Sequence, residues 1–287
     1  MTQYENEVKK RDVMCCMNAG NQGCGRNWSR MRIITDTGTD ILDKEAKKLG
    51  IELVAIRSNF TDTVFSENTE AEFTRFYDKL RQTDTLPVSS QPSPAEFLEL
   101  FEDAKEKQEE VVVITISSKL SGTYNGAMLA KDMAEYDNIY VVDSLQASLS
   151  ERLLVEYAVK LRDAGMGAKE LVRKLEQDRE RVILTGVPST LLYLKMGGRI
   201  SPVVAAVGGV IGIKPVLWLK DGVIESRSKA RGMRMAKSGM QSFLKEYEAD
   251  PAMPVMFAHS DNAEMGQQFM EETVQQFGLT GCSLHEI

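Results

Sequence analysis

Residues 111–124 read VVVITISSKLSGTY, a strand followed by a polar turn into a helix. Val111, Val112, Val113, Ile114 and Ile116 form a nearly unbroken β-branched run, as expected of a strand buried on both faces of a parallel sheet. Residues 117–123 are small and polar and turn that strand into a helix expected over 124–134. A strand that feeds a helix through a tight polar turn is half of a βαβ unit. The same alternation recurs on both sides. Residues 32–35 form a strand that ends in Asp36-Thr37-Gly38-Thr39-Asp40, and 139–143 form another that ends in Asp143-Ser144.

Further outward, a strand is expected over 53–58, helices over 43–49, 70–81, 150–164 and 168–178, and a loop at Ser89-Ser90-Gln91. Ser93-Pro94-Ala95-Glu96 combines a Ser N-cap, Pro at the first helical position and Glu at the third. That pattern explains Ser93 as a structural residue. Beyond 178 the style changes. A strand over 181–187 and a short helix over 189–195 precede a hairpin whose arms, 215–220 and 223–228, flank Asp221-Gly222, a pair suited to a two-residue turn. A strand over 255–258 follows. The expected fold class is α/β in two domains, an N-terminal, mostly parallel α/β sheet domain over 32–178 and a C-terminal mixed-sheet α/β domain over 179–287. Residues 1–31 are expected to be a disordered leader or an upstream start.

Bulk properties limit the function. A chain of 287 residues with 43% hydrophobic and 27% charged residues can bury a sizeable pocket. Its net charge of −7 offers no electrostatic footprint for nucleic acid, and no nucleic-acid partner is expected. The longest apolar run, 203–213, is 11 residues long, against roughly 20 needed to span a bilayer. No stable membrane insertion is expected. Cys15, Cys16 and Cys24 match no zinc spacing, and Cys282 stands alone, so neither a metal site nor a disulfide framework is expected. A cytoplasmic monomer without a cofactor fits these features.

Ligands of open parallel sheets bind beyond the carboxyl ends of the strands. Here those ends carry Asp36-Thr37, Ser117-Ser118 and Asp143-Ser144, a rim of hydroxyls. Ser121-Gly122-Thr123 is the most informative element, since a small residue at a helix N-terminus lets backbone N–H groups face an anion. Ser is also a common N-cap, so Ser121 could serve only the helix. Arg199, beside Gly197-Gly198, could clamp a carboxylate or phosphate. Ser201-Pro202 opens a small-residue helix over 203–212. His259 and His285 are the only histidines, and neither sits in a nucleophile-elbow or metal-binding pattern.

Taken together, ITD at 34–36, PVSSQPSP at 87–94, ISSKLSGTY at 116–124, VVDS at 141–144, YLKMGGRIS at 193–201 and IKP at 213–215 resemble the DegV family, in the family's order and from about Arg32 onward. The resemblance implies a two-domain α/β protein that buries one long-chain fatty acid between its domains. It also implies a partner, a fatty-acid kinase subunit that supplies ATP and phosphorylates the carboxylate. On this reading Ser89, where the family usually has Thr, and Ser121 hydrogen-bond the carboxylate, with Gly122 and Thr123 beside them and Arg199 near the pocket mouth. Lys229 and Arg231 are candidates for docking an acidic kinase partner. The chain's 15 methionines suit a pliable acyl tunnel.

Three departures bear on this. Ser150-Glu151-Arg152 stands where the family usually has a Gly-rich stretch, and Thr37 where it commonly has Ser. The sequence stops at Ile287, short of a family loop whose His helps bind the carboxylate, so weaker binding and an unpaired strand edge are expected. The alternative function is a Ser-dependent lipid hydrolase or acyltransferase, which would need a base beside its Ser.

Overall fold

The computed structural model describes residues 31–200, 212–247, 250 and 253–287. Strands β1 (Met31–Asp36), β2 (Glu52–Val54), β6 (Glu110–Thr115) and β7 (Ile139–Asp143) form one all-parallel sheet in the order β2-β1-β6-β7. The β-branched run has the expected cause. Val112 and Ile114 on one face join Ile33 and residues of α5 (Leu149–Asp163) and α6 (Ala168–Asp178), among them Leu154, Val155, Ala158, Leu171 and Leu175. Val111 and Val113 on the other face meet Phe97 and Phe101 of α3 (Pro94–Glu106) and Ala127 and Ala130 of α4 (Thr123–Ala134). All of these strand residues are fully buried, so the sheet is a central layer between two helix layers.

The strand expected over 53–58 is two strands. The chain leaves the main sheet after β2, where Ile56 N–H donates to Thr37 Oγ1 at 2.9 Å, and enters β3 (Arg57–Asn59). With β4 (Val64–Phe65) and β5 (Val88–Ser90), β3 builds a small antiparallel sheet in the order β4-β3-β5. Ser89 therefore lies on a strand, opposite Ser58, and not in the loop expected from sequence. Helices α1 (Asp43–Leu49) and α2 (Glu70–Gln82) complete this half.

In the second half, β8 (Thr185–Gly186), β9 (Ile213–Lys220) and β10 (Val223–Arg231) form an antiparallel sheet, order β10-β9-β8, while β11 (Met256–His259) and β12 (Ser283–Glu286) pair in parallel. Helices α7 (Leu192–Met196), α8 (Gly232–Glu246) and α9 (Ala263–Phe277) accompany them. β8 is much shorter than the strand expected over 181–187. The carbonyls of Arg179 and Val182 accept from Gln146 Nε2 at 2.9 and 3.3 Å, which holds that backbone against the first half and away from a sheet partner. The Asp221-Gly222 turn is as expected, with φ of 48° and 80°, the left-handed pair that closes a two-residue hairpin. The small-residue helix expected over 203–212 falls on residues that, apart from Gly212, lie outside the described ones, as do Ser201, Cys15, Cys16 and Cys24.

Candidate functional site

The carboxyl ends of β1, β6 and β7 meet around the turn that follows β6. Asp36 Oδ2 accepts from Ile116 N–H at 2.8 Å and its Oδ1 from Gly38 N–H at 2.9 Å. Asp143 Oδ1 accepts from Ser118 N–H at 3.0 Å and Leu145 N–H at 3.1 Å. Two carboxylates thus pin the turn from either side. Burial pushes the wholly buried Asp36 carboxyl up to about 7, against the pull of its two amide donors. Asp36 and Asp143 build the loop through these four amide hydrogen bonds.

Within the turn, Leu120 and Ser121 N–H donate to Ser117 O at 2.9 and 3.1 Å, and α4 then starts at Thr123. The N-cap position falls on Gly122, and no side chain caps the helix. Ser121 Oγ lies 2.8 Å from Thr123 Oγ1 and makes only a long 3.4 Å contact with Thr123 N–H. The ordinary capping role, an oxygen on the second or third N–H of the first turn, is therefore not what Ser121 performs. Apart from that long contact, the first-turn N–H groups of α4 have no intrahelical acceptors and, among the described residues, no capping side chain, and they lie beside two hydroxyls. That is the chemistry of an anion site.

Two further segments converge on this turn. Gln91, just past β5, lies on Gly122, where a Cβ would sit 1.9 Å from Gln91 Oε1. The chain around Ser89 and the chain around Ser121 are thereby brought together. From the second half, the hairpin tip and the α7 loop grip the same turn. Ser117 Oγ donates to Gly222 O at 2.8 Å, Lys119 Nζ to Asp221 O at 2.7 Å, and Arg199 Nε to Leu120 O at 3.0 Å. Arg199 is thus exposed and adjacent to Ser121. Lys229 and Arg231 are exposed on β10, paired in register with Pro215 and Ile213 at the far end of the hairpin. At about 3.3 Å per residue, Lys229 lies roughly 20 Å along the strand from Gly222. The sequence marks Gln91 only as the end of the Ser89-Ser90-Gln91 segment and does not mark Gly222 as a neighbour of the site, because each meets the turn from a distant part of the chain.

The grip of the hairpin tip depends on Gly222. A Cβ there would lie 2.6 Å from Ser117 Oγ and 3.0 Å from Leu145 Cδ2, on backbone at φ 80°. Gly222→Ala is expected to cost at least about 1–2 kcal/mol from the left-handed backbone alone. Chemical denaturation measures it; an unchanged midpoint would show that the tip does not hold the turn.

Neither histidine reaches Ser121. His259 Nδ1 accepts from Asn262 N–H at 3.4 Å, and His285 Nε2 lies 2.7 Å from Ser283 Oγ. Burial first, and then the nearby Arg152 charge, hold the His285 pKa below its ordinary value. The segment Ser150-Glu151-Arg152 is buried at the start of α5. Arg152 makes a bidentate pair with Glu45 at 2.9 and 3.0 Å and a further pair with Glu156 at 2.8 Å. Burial, followed by the Asp36 and Asp40 charges, drives the Glu151 carboxyl well above its ordinary value. Among the described residues no cluster of His, Cys, Asp and Glu could hold a metal ion, and no helix is long and apolar enough to cross a membrane.

Comparison with known proteins bears on the family and the overall fold. The family model described as "Uncharacterised protein, DegV family" matches residues 30–287. A DegV domain-containing protein of Caldanaerobacter subterraneus is 31% identical over 236 residues, 82% of this chain and 84% of that one. Among solved structures, the fatty-acid-binding DegV family protein from Thermus thermophilus superposes with a TM-score of 0.78 at 27% identity, covering 90% of this chain and 92% of that one. The Streptococcus pneumoniae Fatty Acid Kinase (Fak) B3 protein, loaded with linoleic acid, does so with a TM-score of 0.77 at 26% identity and the same coverages.

Proposed function

The chain belongs to the DegV family, and on that premise we propose that it binds one long-chain fatty acid by its carboxylate and presents it to a separate fatty-acid kinase subunit. The observation that carries this reading is the uncapped start of α4 beside the Ser121 and Thr123 hydroxyls. Hydroxyls and helix N–H groups can hold an anion without a buried Lys, and the helix dipole adds to them. Ser121 is the first donor. Ser89 is the second, carried on β5 and joined to the α4 turn through Gln91. Arg199, anchored on Leu120 O, stands at the mouth.

Residues 32–178 and 179–287 are read as the two domains, with the acyl chain between them. Lys229 and Arg231, exposed and without an ion pair among the described residues, suit docking of an acidic partner surface. Among the described residues Ser121 meets Thr123 and no base, which favours a carrier over a Ser-dependent hydrolase. A fatty-acid kinase subunit supplied with ATP and oleate tests the assignment. Acyl phosphate should form only when this chain is added. Equal acyl phosphate without it, or release of free acid from an oleoyl ester by this chain alone, would overturn the reading.

A further inference from the structure

We infer that Gln91 is a third donor to the bound carboxylate and that residue 122 is glycine to admit it. This rests on the fatty-acid reading above and adds to it a residue that sets headgroup selectivity. Three observations carry it.

The first is the contact itself. The Gln91 carboxamide lies so close over Gly122 that a Cβ would sit 1.9 Å from Oε1, 2.8 Å from Cδ and 3.0 Å from Nε2. Gly126, one turn into α4, has Pro92 O at 3.6 Å and Gln91 Nε2 at 3.8 Å from its own Cβ position. The carboxamide therefore lies along the Gly122 and Gly126 face of the first turn of α4, over the residue between Ser121 and Thr123.

The second is that the backbone of Gln91 is fixed on both sides. Before it, Ser90 is in register with Arg57 across the small sheet. After it, Ser93 N–H and Oγ–H donate to Glu96 Oε2 at 2.8 and 2.9 Å, and Glu96 is clamped by Arg57 at 2.6 and 3.3 Å. The Arg57 hydrogen bond is also the main reason that the Glu96 carboxyl falls to about 2, so the clamp stays ionised across the working pH range. A donor whose supporting shell is locked in this way meets a ligand with little ordering cost.

The third is that the carboxamide has no hydrogen bond of its own among the described residues. It is exposed, yet it is seated against backbone instead of extending into solvent. A carboxamide presents two N–H donors and one acceptor, and either end can be turned to the ligand. A carboxylate needs donors; a primary alcohol of the same chain length carries no charge to reward them.

The test compares oleate with oleyl alcohol, by titration calorimetry or displacement of a fluorescent fatty acid at pH 8. Gln91→Ala should weaken oleate about 10- to 150-fold, the loss of one hydrogen bond to a charged group, and leave oleyl alcohol within a factor of about two. Gln91→Glu should weaken oleate further, since it sets a carboxylate against a carboxylate. Gly122→Ala, which displaces only the flexible end of Gln91, should fold normally and reproduce the Gln91→Ala selectivity. Wild type that binds oleate, with Gln91→Ala binding it equally well or losing both ligands in parallel, would overturn the role of Gln91 alone. Wild type that fails to bind oleate would overturn the fatty-acid reading as well.

Discussion

Arg152→Ala is expected to lower the unfolding free energy by about 1.5–3 kcal/mol, the usual worth of a hydrogen bond to a charged group, because Arg152 is buried while its carboxylate partners keep some contact with water. The Arg152 side chain is 6% exposed, and its fork holds both oxygens of Glu45 as well as Glu156. Glu45 in turn accepts from Leu42 N–H at 2.9 Å at the start of α1, so the pair ties α1 to α5 across 107 residues. Arg152→Lys keeps the charge but loses the planar fork, and should recover only part of the loss. Urea denaturation measures both. The Arg152 charge also helps to hold the His285 pKa down, so Arg152→Ala should raise it, which an NMR titration reads directly. An Arg152→Ala variant as stable as wild type would mean that this network does not hold the start of α5.

The second large effect concerns the ligand. Ser121→Ala removes a hydroxyl donor to a charged acceptor and should weaken fatty-acid binding by about 1.5–3 kcal/mol, roughly 10- to 150-fold. Stability should change little, because Ser121 does not cap α4 and its loop is held by Asp36, Asp143 and the hairpin tip. Thermal denaturation of the ligand-free protein separates the two effects. Unchanged affinity, or a fall in stability as large as the fall in affinity, would return Ser121 to a structural role.

Local chemistry made much of this fold readable from the sequence. The run Val111, Val112, Val113, Ile114 marks a doubly covered strand because both of its faces must be apolar, and it is buried on both. Helix α6 begins and ends where its amphipathic period does, at Ala168 and Asp178. Asp221-Gly222 closes the hairpin because its backbone needs positive φ at both positions. What was not readable depends on contacts between distant segments. Ala55 and Ile56 interrupt an apolar run that looks continuous, since the strand changes sheets there. β8 is short where Gln146 takes the Val182 carbonyl, which a strand reaching back to residue 181 would have had free for a sheet partner.

The site divides in the same way. Ser121-Gly122-Thr123 stands out as a small polar turn at a helix start, and Arg199 as a lone cation beside two glycines. That Arg199 and the hairpin tip both grip the residues just before Ser121 is a matter of tertiary packing, which no local pattern encodes. Gln91 is hidden for a different reason. Its neighbours Ser89, Ser93 and Pro94 carry familiar signals, whereas a glutamine between them carries none until Gly122 is seen beneath it.

Mass spectrometry of the small molecules released when the purified protein is denatured shows what the protein carries. One free long-chain fatty acid per chain is expected, lost when Ser121 and Ser89 are both changed to Ala. A protein that releases no lipid even after incubation with oleate, or that releases a nucleotide or a neutral lipid ester in its place, would contradict the fatty-acid reading.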